Sequence, residues 1–203
     1  FVTESKDIMF EGNGYSKEWE IESAARGLRA VKNVPEAFEV YHEAQTVELF
    51  EKLGVLAKNE IEARFEIFNE TYVKKLQIEA RIIGDICLNH VIPAAVRYQN
   101  VLIENVKGIK DIFGDGYLDF CSAEIETLKK ISTYINRISM DVEELVEARK
   151  RANRIENIAE RAKVYSHSVK DMMDKVRDSA DHLEMLIDDE MWPLPKYREL
   201  LFF

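Results

Sequence analysis

The sequence predicts an all-α protein: a bundle of three long, partly kinked antiparallel helices, with three short N-terminal helices and an extended C-terminal tail. Only 8 glycines and 4 prolines occur in 203 residues, about half their usual share, so few turns interrupt the chain. Apolar residues recur at spacings of three and four over long stretches, which is typical of helices that bury one face. No stretch alternates apolar and polar residues as a strand does. Long amphipathic helices of this kind pack as bundles.

Residues 1–58 are predicted to form three short helices joined by tight turns. Each begins with a residue that suits a helix N-terminus, and two of them stop at a glycine, which readily adopts the left-handed conformation of a C-terminal stop. The predicted helices span about 17–26, 35–44 and 47–53, with Ser16, Pro35 and Thr46 at their starts and Gly27 and Gly54 at their ends.

Residues 59–190 are predicted to form the long-helix bundle. Its first helix runs from about Asn59 to Asn89 and continues to about Ile112. Pro93 is expected to kink this helix, because proline cannot donate to the carbonyl of Asn89.

Two more long helices follow a glycine-containing loop at residues 114–116. Ser122 is a plausible N-cap for the second long helix. The charged stretch 149–156 is predicted to be a frayed turn, and the third long helix covers about 158–187.

Residues 191–203 are predicted to be an apolar tail that packs on the bundle. Pro193 and Pro195 favour an extended course, and Trp192 is the expected anchor because burying so large a ring is strongly stabilising. The tail could instead dock on a partner, and the sequence leaves this alternative open.

Composition and charge exclude several classes of function. A formal net charge of −10 argues against binding to nucleic acid or to an anionic membrane. No apolar run approaches the roughly 20 residues of a membrane span. Two cysteines, Cys87 and Cys121, are too few for a disulfide framework, so we expect reduced thiols and a cytoplasmic location. The chain begins with Phe1 and has no signal-peptide pattern, so we expect it to continue from an upstream segment.

One candidate metal motif is present. Glu39 and His42 have the Glu-x-x-His spacing of carboxylate-bridged di-iron bundles. Such sites need a second copy and two further glutamates, and the sequence offers one copy on a short helix. A solvated acidic face is therefore the favoured interpretation. No serine, cysteine or histidine constellation has the spacing of a nucleophilic catalytic site.

Two polar residues fall on the apolar stripe of the first long helix. Glu79 is predicted to be buried and paired with Arg26, Arg64 or Arg81, since a buried carboxylate needs a partner. A catalytic base is the alternative. His90 is predicted to be a hydrogen-bonded core residue that could satisfy the carbonyl freed by Pro93.

Several short motifs, in order and spacing, resemble the C-terminal region of type III glutamine synthetases. The likeness covers nearly the whole chain and is weakest at about 105–180. Its most distinctive parts are at the two ends and around the predicted kink. They are the segments 12–16, which contains Tyr15, 26–28, which begins with Arg26, 49–52, 78–80, which contains Glu79, 92–94, which contains Pro93, and 192–195, which begins with Trp192, together with the single residue Trp19.

The resemblance implies a parent enzyme that makes glutamine from glutamate, ammonia and ATP with a divalent metal, Mg²⁺ or Mn²⁺. It also implies a catalytic core upstream of this region and a large homo-oligomer of sister subunits. None of the core's catalytic, nucleotide-binding or metal-binding motifs is present here. We therefore expect a non-catalytic helical domain that supports folding or assembly, with no catalytic, cofactor-binding or metal-binding residue in this chain.

Two other hypotheses remain open at this point. The chain could be a stand-alone helical interaction or scaffold domain, with the resemblance reflecting ancestry alone. A carboxylate-bridged metal enzyme is the less favoured alternative. An upstream reading frame that encodes a glutamine synthetase core would favour the first hypothesis over the scaffold, and metal analysis would test the enzyme.

Overall fold

The computed structural model describes residues 3–196 and 198–202. It is 79% helical, and these described residues include no strand. The all-α prediction is therefore confirmed. The chain divides into two compact units between Phe68 and Asn69, inside one continuous helix.

The first unit contains three short helices and the start of a long one. They are α1 (Lys17–Ala25), α2 (Val34–Phe38), α3 (Ala44–Lys52) and α4 (Lys58–Ile86). The Ser16 side chain accepts the backbone N–H of Trp19, so it caps α1 as predicted. Gly27 and Gly54 have φ values of 71° and 65° and stop α1 and α3, a conformation that glycine adopts without a Cβ penalty.

Two predicted boundaries in this unit are wrong. The second helix ends at Phe38 and gives way to a 3₁₀ turn, Glu39–His42. The third helix then begins after Glu43, so Thr46 lies inside α3 and does not cap it. Pro35 does lie in the first turn of α2, where its missing N–H has no helical partner to lose.

Aromatic rings form the core of the first unit. Phe68 contacts Phe38 and Tyr41, with ring centroids 5.3 and 5.6 Å apart. The rings of Phe65 and His42 are in tilted contact, with centroids 4.0 Å apart, and Ile61 is fully buried. The α2 helix and the 3₁₀ turn after it thus pack on the first turns of α4.

The second unit is built from the rest of α4 and four more helices. In chain order they are α5 (Ile92–Phe113), α6 (Leu118–Asn153), α7 (Ile158–Val164) and α8 (Lys170–Leu186). A short connection joins α5 to α6, so these two helices are antiparallel. For the same reason α6 is antiparallel to the segment formed by α7 and α8. The long α6 packs against both α5 and α8. Tyr165, Ile131, Ile138 and Leu183 lie in the common core with almost no exposure.

A π turn lies directly before Pro93, where the sequence predicts a kink. Residues Cys87–Val91 form this turn, in which the N–H of Ile92 donates to the carbonyl of Cys87, five residues earlier. Pro93 therefore occupies the first turn of α5, where a proline is tolerated. A second π turn, Tyr165–Val169, joins α7 to α8.

The charged stretch 149–156 is not a frayed turn along its whole length. Ala148 and Ala152 are buried, so one face of the stretch is apolar and α6 continues to Asn153. The break comes at residues 154–157, and Asn157 caps α7 by accepting the N–H of Glu160.

The second long helix also begins earlier than predicted. It starts at Leu118, and a non-helical Cys121 (φ −137°, ψ 23°) interrupts it one residue before Ser122. The predicted start thus coincides with a kink. None of the helices in the described part of the chain is long and apolar enough to cross a membrane.

Candidate functional site

The C-terminal residues 191–196 close over the end of α8, and we call this segment the clasp. Trp192 is only 9% exposed and belongs to the core of the second unit. Its indole N–H has no hydrogen-bond partner among the described residues. Trp192 therefore anchors the clasp by burying its ring.

Lys196 is the polar anchor of the clasp. Its Nζ donates to the carbonyl oxygens of Glu184 at 2.8 Å and Ile187 at 3.0 Å, and it lies 2.5 Å from a carboxylate oxygen of Asp189. The last carbonyls of a helix have no partner within the helix and carry partial negative charge. A buried ammonium group at this position satisfies two carbonyls at the end of α8. Asp189 also pairs with Arg198.

A cleft of about 270 Å³ lies between the clasp, α8 and the π turn after α4. Its walls are mainly apolar and include Ile83, Val91 and Trp192. Burial, with a smaller effect from Asp181, raises the pKa of the Cys87 thiol from about 9 to about 11. The thiolate is the nucleophilic form of cysteine. Because the raised pKa keeps the Cys87 thiol protonated at neutral pH, Cys87 behaves there as a buried apolar side chain.

The first unit has its own polar centre at Arg26. Its guanidinium donates to the backbone carbonyls of Lys6, Asp7 and Met9 and pairs with the Glu22 carboxylate. Arg26 thus holds the N-terminal segment against α1.

The other two aromatic candidates in this region differ in exposure. Trp19 is half-buried and contacts Phe10, with ring centroids 4.7 Å apart. Tyr15 is 99% exposed. Trp19 packs within the unit, whereas Tyr15 makes no contribution to its core.

The predicted burial of Glu79 is wrong. Glu79 is exposed, while its neighbours Leu76 and Ala80 take the inner positions of α4. The prediction assigned the buried face from the large residues Leu76 and Ile83 and did not count Ala80. Ala80 is small enough to fit between closely packed helices. No ion pair joins Glu79 to any described residue, and its proposed partner Arg26 pairs with Glu22.

The predicted core position of His90 is also wrong. His90 is exposed, and Cys87 and Val91 face the core. The buried positions of this segment follow one another at the ordinary helical spacings of four, three and four residues; they are Ala80, Gly84, Cys87 and Val91. Val91, and not His90, therefore takes the inward position.

The Glu39 and His42 pair is not brought together with further ligands. The His42 ring packs against Phe65 in a tilted arrangement. Across residues 3–196 and 198–202, no three histidine, cysteine, aspartate or glutamate side chains converge as a metal-binding group.

Two features were missed from the sequence. Lys196 was not singled out, although a basic residue shortly after a helix end is a known C-terminal signal. Phe113 and Phe120, which flank the Gly114–Gly116 turn, stack with ring centroids 4.1 Å apart and remain exposed. Large apolar residues beside a glycine turn could have drawn attention to this surface.

Comparisons with known proteins agree with the resemblance seen in the sequence. A family model described as glutamine synthetase C-terminal domain matches residues 1–110. A glutamine synthetase of Bacteroides fragilis is 44% identical over 202 residues, which is 99% of this chain and 28% of that protein. A glutamine synthetase of Butyrivibrio fibrisolvens is 31% identical over 97% of this chain and 28% of its own length.

A third relative is named as a type-3 enzyme. The type-3 glutamine synthetase of Dictyostelium discoideum is 30% identical over 96% of this chain and 27% of its own length. The chain thus spans little more than a quarter of the length of each of these relatives. The family model covers the first unit, α4 and most of α5, and the pairwise matches extend through the bundle to the clasp. On these grounds the chain belongs to the glutamine synthetase C-terminal domain family.

Proposed function

We propose that this chain is the non-catalytic helical domain of a type III glutamine synthetase and that it supports the folding or subunit assembly of the parent enzyme. The observation that carries the proposal is the extent of the match. Almost all of this chain aligns with the Bacteroides relative, yet the alignment covers 28% of that protein. We therefore place the catalytic core of the parent enzyme in the part of its chain that lies outside this region.

The parent reaction would join ammonia to glutamate with hydrolysis of ATP and release of glutamine, ADP and phosphate. We assign ATP and the divalent metal, Mg²⁺ or Mn²⁺, to the upstream core. Such an ion is held mainly by carboxylate and other oxygen ligands, which we place in that core. We derive no catalytic step from this chain.

The proposed partners are the upstream core and sister subunits of a large homo-oligomer. The acidic balance of the chain, −10, fits this better than a nucleic-acid or membrane partner. We also propose a cytoplasmic location. Both cysteines are free and buried, which fits a reducing compartment.

Two measurements test the proposal. The purified chain, given glutamate, ammonia, ATP and Mg²⁺ or Mn²⁺, should release no ADP above the rate without ammonia. In the parent enzyme, deletion of this region should lower either the unfolding temperature or the size of the oligomer by sedimentation. Ammonia-dependent ADP release by the chain alone, or a deleted parent of unchanged stability and size, would refute the proposal.

A further inference from the structure

Basic residues are concentrated where α6 turns back into α7. Between Arg149 and Lys163 the sequence has six basic and two acidic residues, although the whole chain carries a net charge of −10. Arg149 lies near the end of α6 and Arg161 lies in α7. The turn between these two helices is therefore a local centre of positive charge in an acidic chain.

Tyr165 marks the place where the two helices meet. It is fully buried, and its hydroxyl donates to the side-chain oxygen of Asn153 at 2.8 Å. Arg149 lies four residues before Asn153 on α6, and residues at this spacing share a helix face. Arg161 lies four residues before Tyr165 in the same way. The hydrogen bond between the two helices thus brings the faces that carry the two arginines together.

The electrostatics of Tyr165 agree with this arrangement. Burial raises the pKa of its hydroxyl, and the positive charges of Arg149 and Arg161 oppose that rise. The hydrogen bond from Asn153 and the charge of Arg81 on α4 lower the pKa further, whereas no carboxylate among the described residues contributes. Three guanidinium groups therefore lie near one buried hydroxyl. We call Arg81, Arg149 and Arg161 the arginine cluster.

The two arginines nearest to Tyr165 have no acidic neighbour on their own helices. The residues three and four positions from Arg149 are Leu145, Val146, Ala152 and Asn153, and those at the same distances from Arg161 are Asn157, Ile158, Val164 and Tyr165. These are the spacings at which side chains of one helix form ion pairs. Neither arginine therefore has a counter-ion of this local kind.

The acidic residues closest in sequence are engaged elsewhere or exposed. Glu147 lies 2.8 Å from the Nζ atom of Lys150. Asp85, one turn after Arg81 on α4, accepts a hydrogen bond from the side chain of Asn89 at 2.7 Å. The two glutamates of the turn region, Glu156 and Glu160, are exposed. Within residues 3–196 and 198–202, no ion pair reaches a member of the arginine cluster.

Arg149 has an unmet need for a hydrogen-bond acceptor. Its Nη1 atom is buried and has no hydrogen-bond partner among the described residues. Arg161, by contrast, donates its Nε–H to the carbonyl oxygen of Ile155 at 2.7 Å. A buried charged donor without an acceptor is destabilising. Both arginine side chains are partly exposed, so a small ion from solvent can reach them and supply the acceptor.

The charge of the arginine cluster indicates the class of ion. A carboxylate would bring one negative charge to three positive ones. A phosphate group carries about 1.5 to 2 negative charges at neutral pH and offers several acceptor oxygens. Arginine binds phosphate through two parallel hydrogen bonds, which gives geometric selectivity as well as attraction.

We propose that the arginine cluster binds one phosphate group, either as free inorganic phosphate or as the phosphate of a larger molecule. Arg149 and Arg161 are its direct ligands, and Arg81 adds a third positive charge beside them. The inference concerns residues of this chain alone and does not rest on the proposed function.

The first test is a calorimetric titration of the 203-residue chain with inorganic phosphate at low ionic strength. We expect saturable binding of one phosphate per chain. Arg149→Gln/Arg161→Gln should weaken this binding about 100-fold, because each lost hydrogen bond to a charged group contributes roughly a factor of ten. The matched control is Arg151→Gln/Arg154→Gln, which removes the same charge at two exposed neighbours and should weaken binding less than about threefold.

A second variant separates binding from folding. Arg149→Lys keeps the positive charge but loses the paired hydrogen bonds of the guanidinium. It should retain the helical circular dichroism spectrum of the wild type and weaken phosphate binding about tenfold. Unchanged affinity in this variant would show that Arg149 is not a direct ligand and would overturn the proposal.

Titrations with ADP and with acetate identify the ligand class and its source. Equal affinities for ADP and phosphate support a site for the phosphate group itself, tighter binding of ADP supports a nucleotide source, and binding of phosphate alone supports the free ion. Acetate should bind at least about tenfold more weakly than phosphate. Acetate binding as tight as phosphate binding, no saturable phosphate binding, or equal losses in the two folded double variants would overturn the proposal.

Discussion

The Nζ atom of Lys196 lies 2.8 Å from the carbonyl oxygen of Glu184 and so supplies a donor to the last turn of α8. The two residues are twelve positions apart, and both are buried. The contact ties the clasp to the helix that precedes it.

Replacing Lys196 with methionine should destabilise the second unit by about 2–3 kcal/mol. Methionine keeps the length of the side chain but leaves two buried carbonyls without a donor and removes the ion pair with Asp189. The measurement is urea unfolding followed by circular dichroism. Arg198→Met is the control, because its ion pair with Asp189 is exposed and should contribute under about 0.5 kcal/mol. Equal effects of the two substitutions would contradict the assignment of Lys196 as a helix cap.

Trp192→Ala should cost about 3–5 kcal/mol, since it removes a buried ring from the core. Leu194→Ala should cost less, because Leu194 is 37% exposed. The chain has 2 tryptophans, so a Trp19→Phe background makes the fluorescence of Trp192 a direct reporter. Its emission should be blue-shifted in the folded state. An emission maximum like that of free indole, with no loss of stability in Trp192→Ala, would mean that the clasp is open in solution.

Glu79→Gln should change the free energy of unfolding by no more than about 0.5 kcal/mol. Glu79 is exposed and forms no ion pair with the described residues, and surface substitutions of this kind are usually near neutral. Leu76→Ala, one turn earlier on α4 and buried, should cost about 2–4 kcal/mol. A large loss in Glu79→Gln would show instead that the carboxylate has a buried partner.

Stability should fall between about pH 9 and pH 11 through Cys87. Burial raises the pKa of this thiol to about 11 in the folded chain, against about 9 for an exposed thiol. The folded state therefore keeps a proton that the unfolded state releases. This contribution is fully present below pH 9 and is lost as the pH rises to 11, by about 2–3 kcal/mol. The measurement is the free energy of unfolding against pH for the wild type and Cys87→Ala, whose difference should shrink over this range. Parallel profiles would argue against a buried thiol.

Local rules predicted most helix positions correctly. Ser16, Pro35, Gly27 and Gly54 act through their own backbone and nearest neighbours, so their roles can be recognised in any context. The long apolar stripes likewise predicted the three long helical segments, because the period of an α-helix does not depend on what covers it.

The candidate site was harder to predict. Trp192 was predicted as an anchor from its size, and the structure buries it. The role of Lys196 depends on where residues 188–195 turn back, a course that no local pattern specifies. Glu79 and His90 were each misplaced by one position, because the buried face runs through the small residues Ala80, Gly84 and Cys87 and the prediction followed the larger Ile83 and Ile86.

The sequence by itself determined that this chain is all-α, approximately where its long helices lie, and which family it resembles, since these depend on backbone preferences and on short motifs. Only the tertiary structure decided which stretches of each apolar face are covered. Ile131 and Leu128 are both large apolar residues on one face of α6, yet one is fully buried and the other only partly buried. The difference arises because burial depends on which other elements pack against each part of α6, and that is a property of the packed chain and not of either residue.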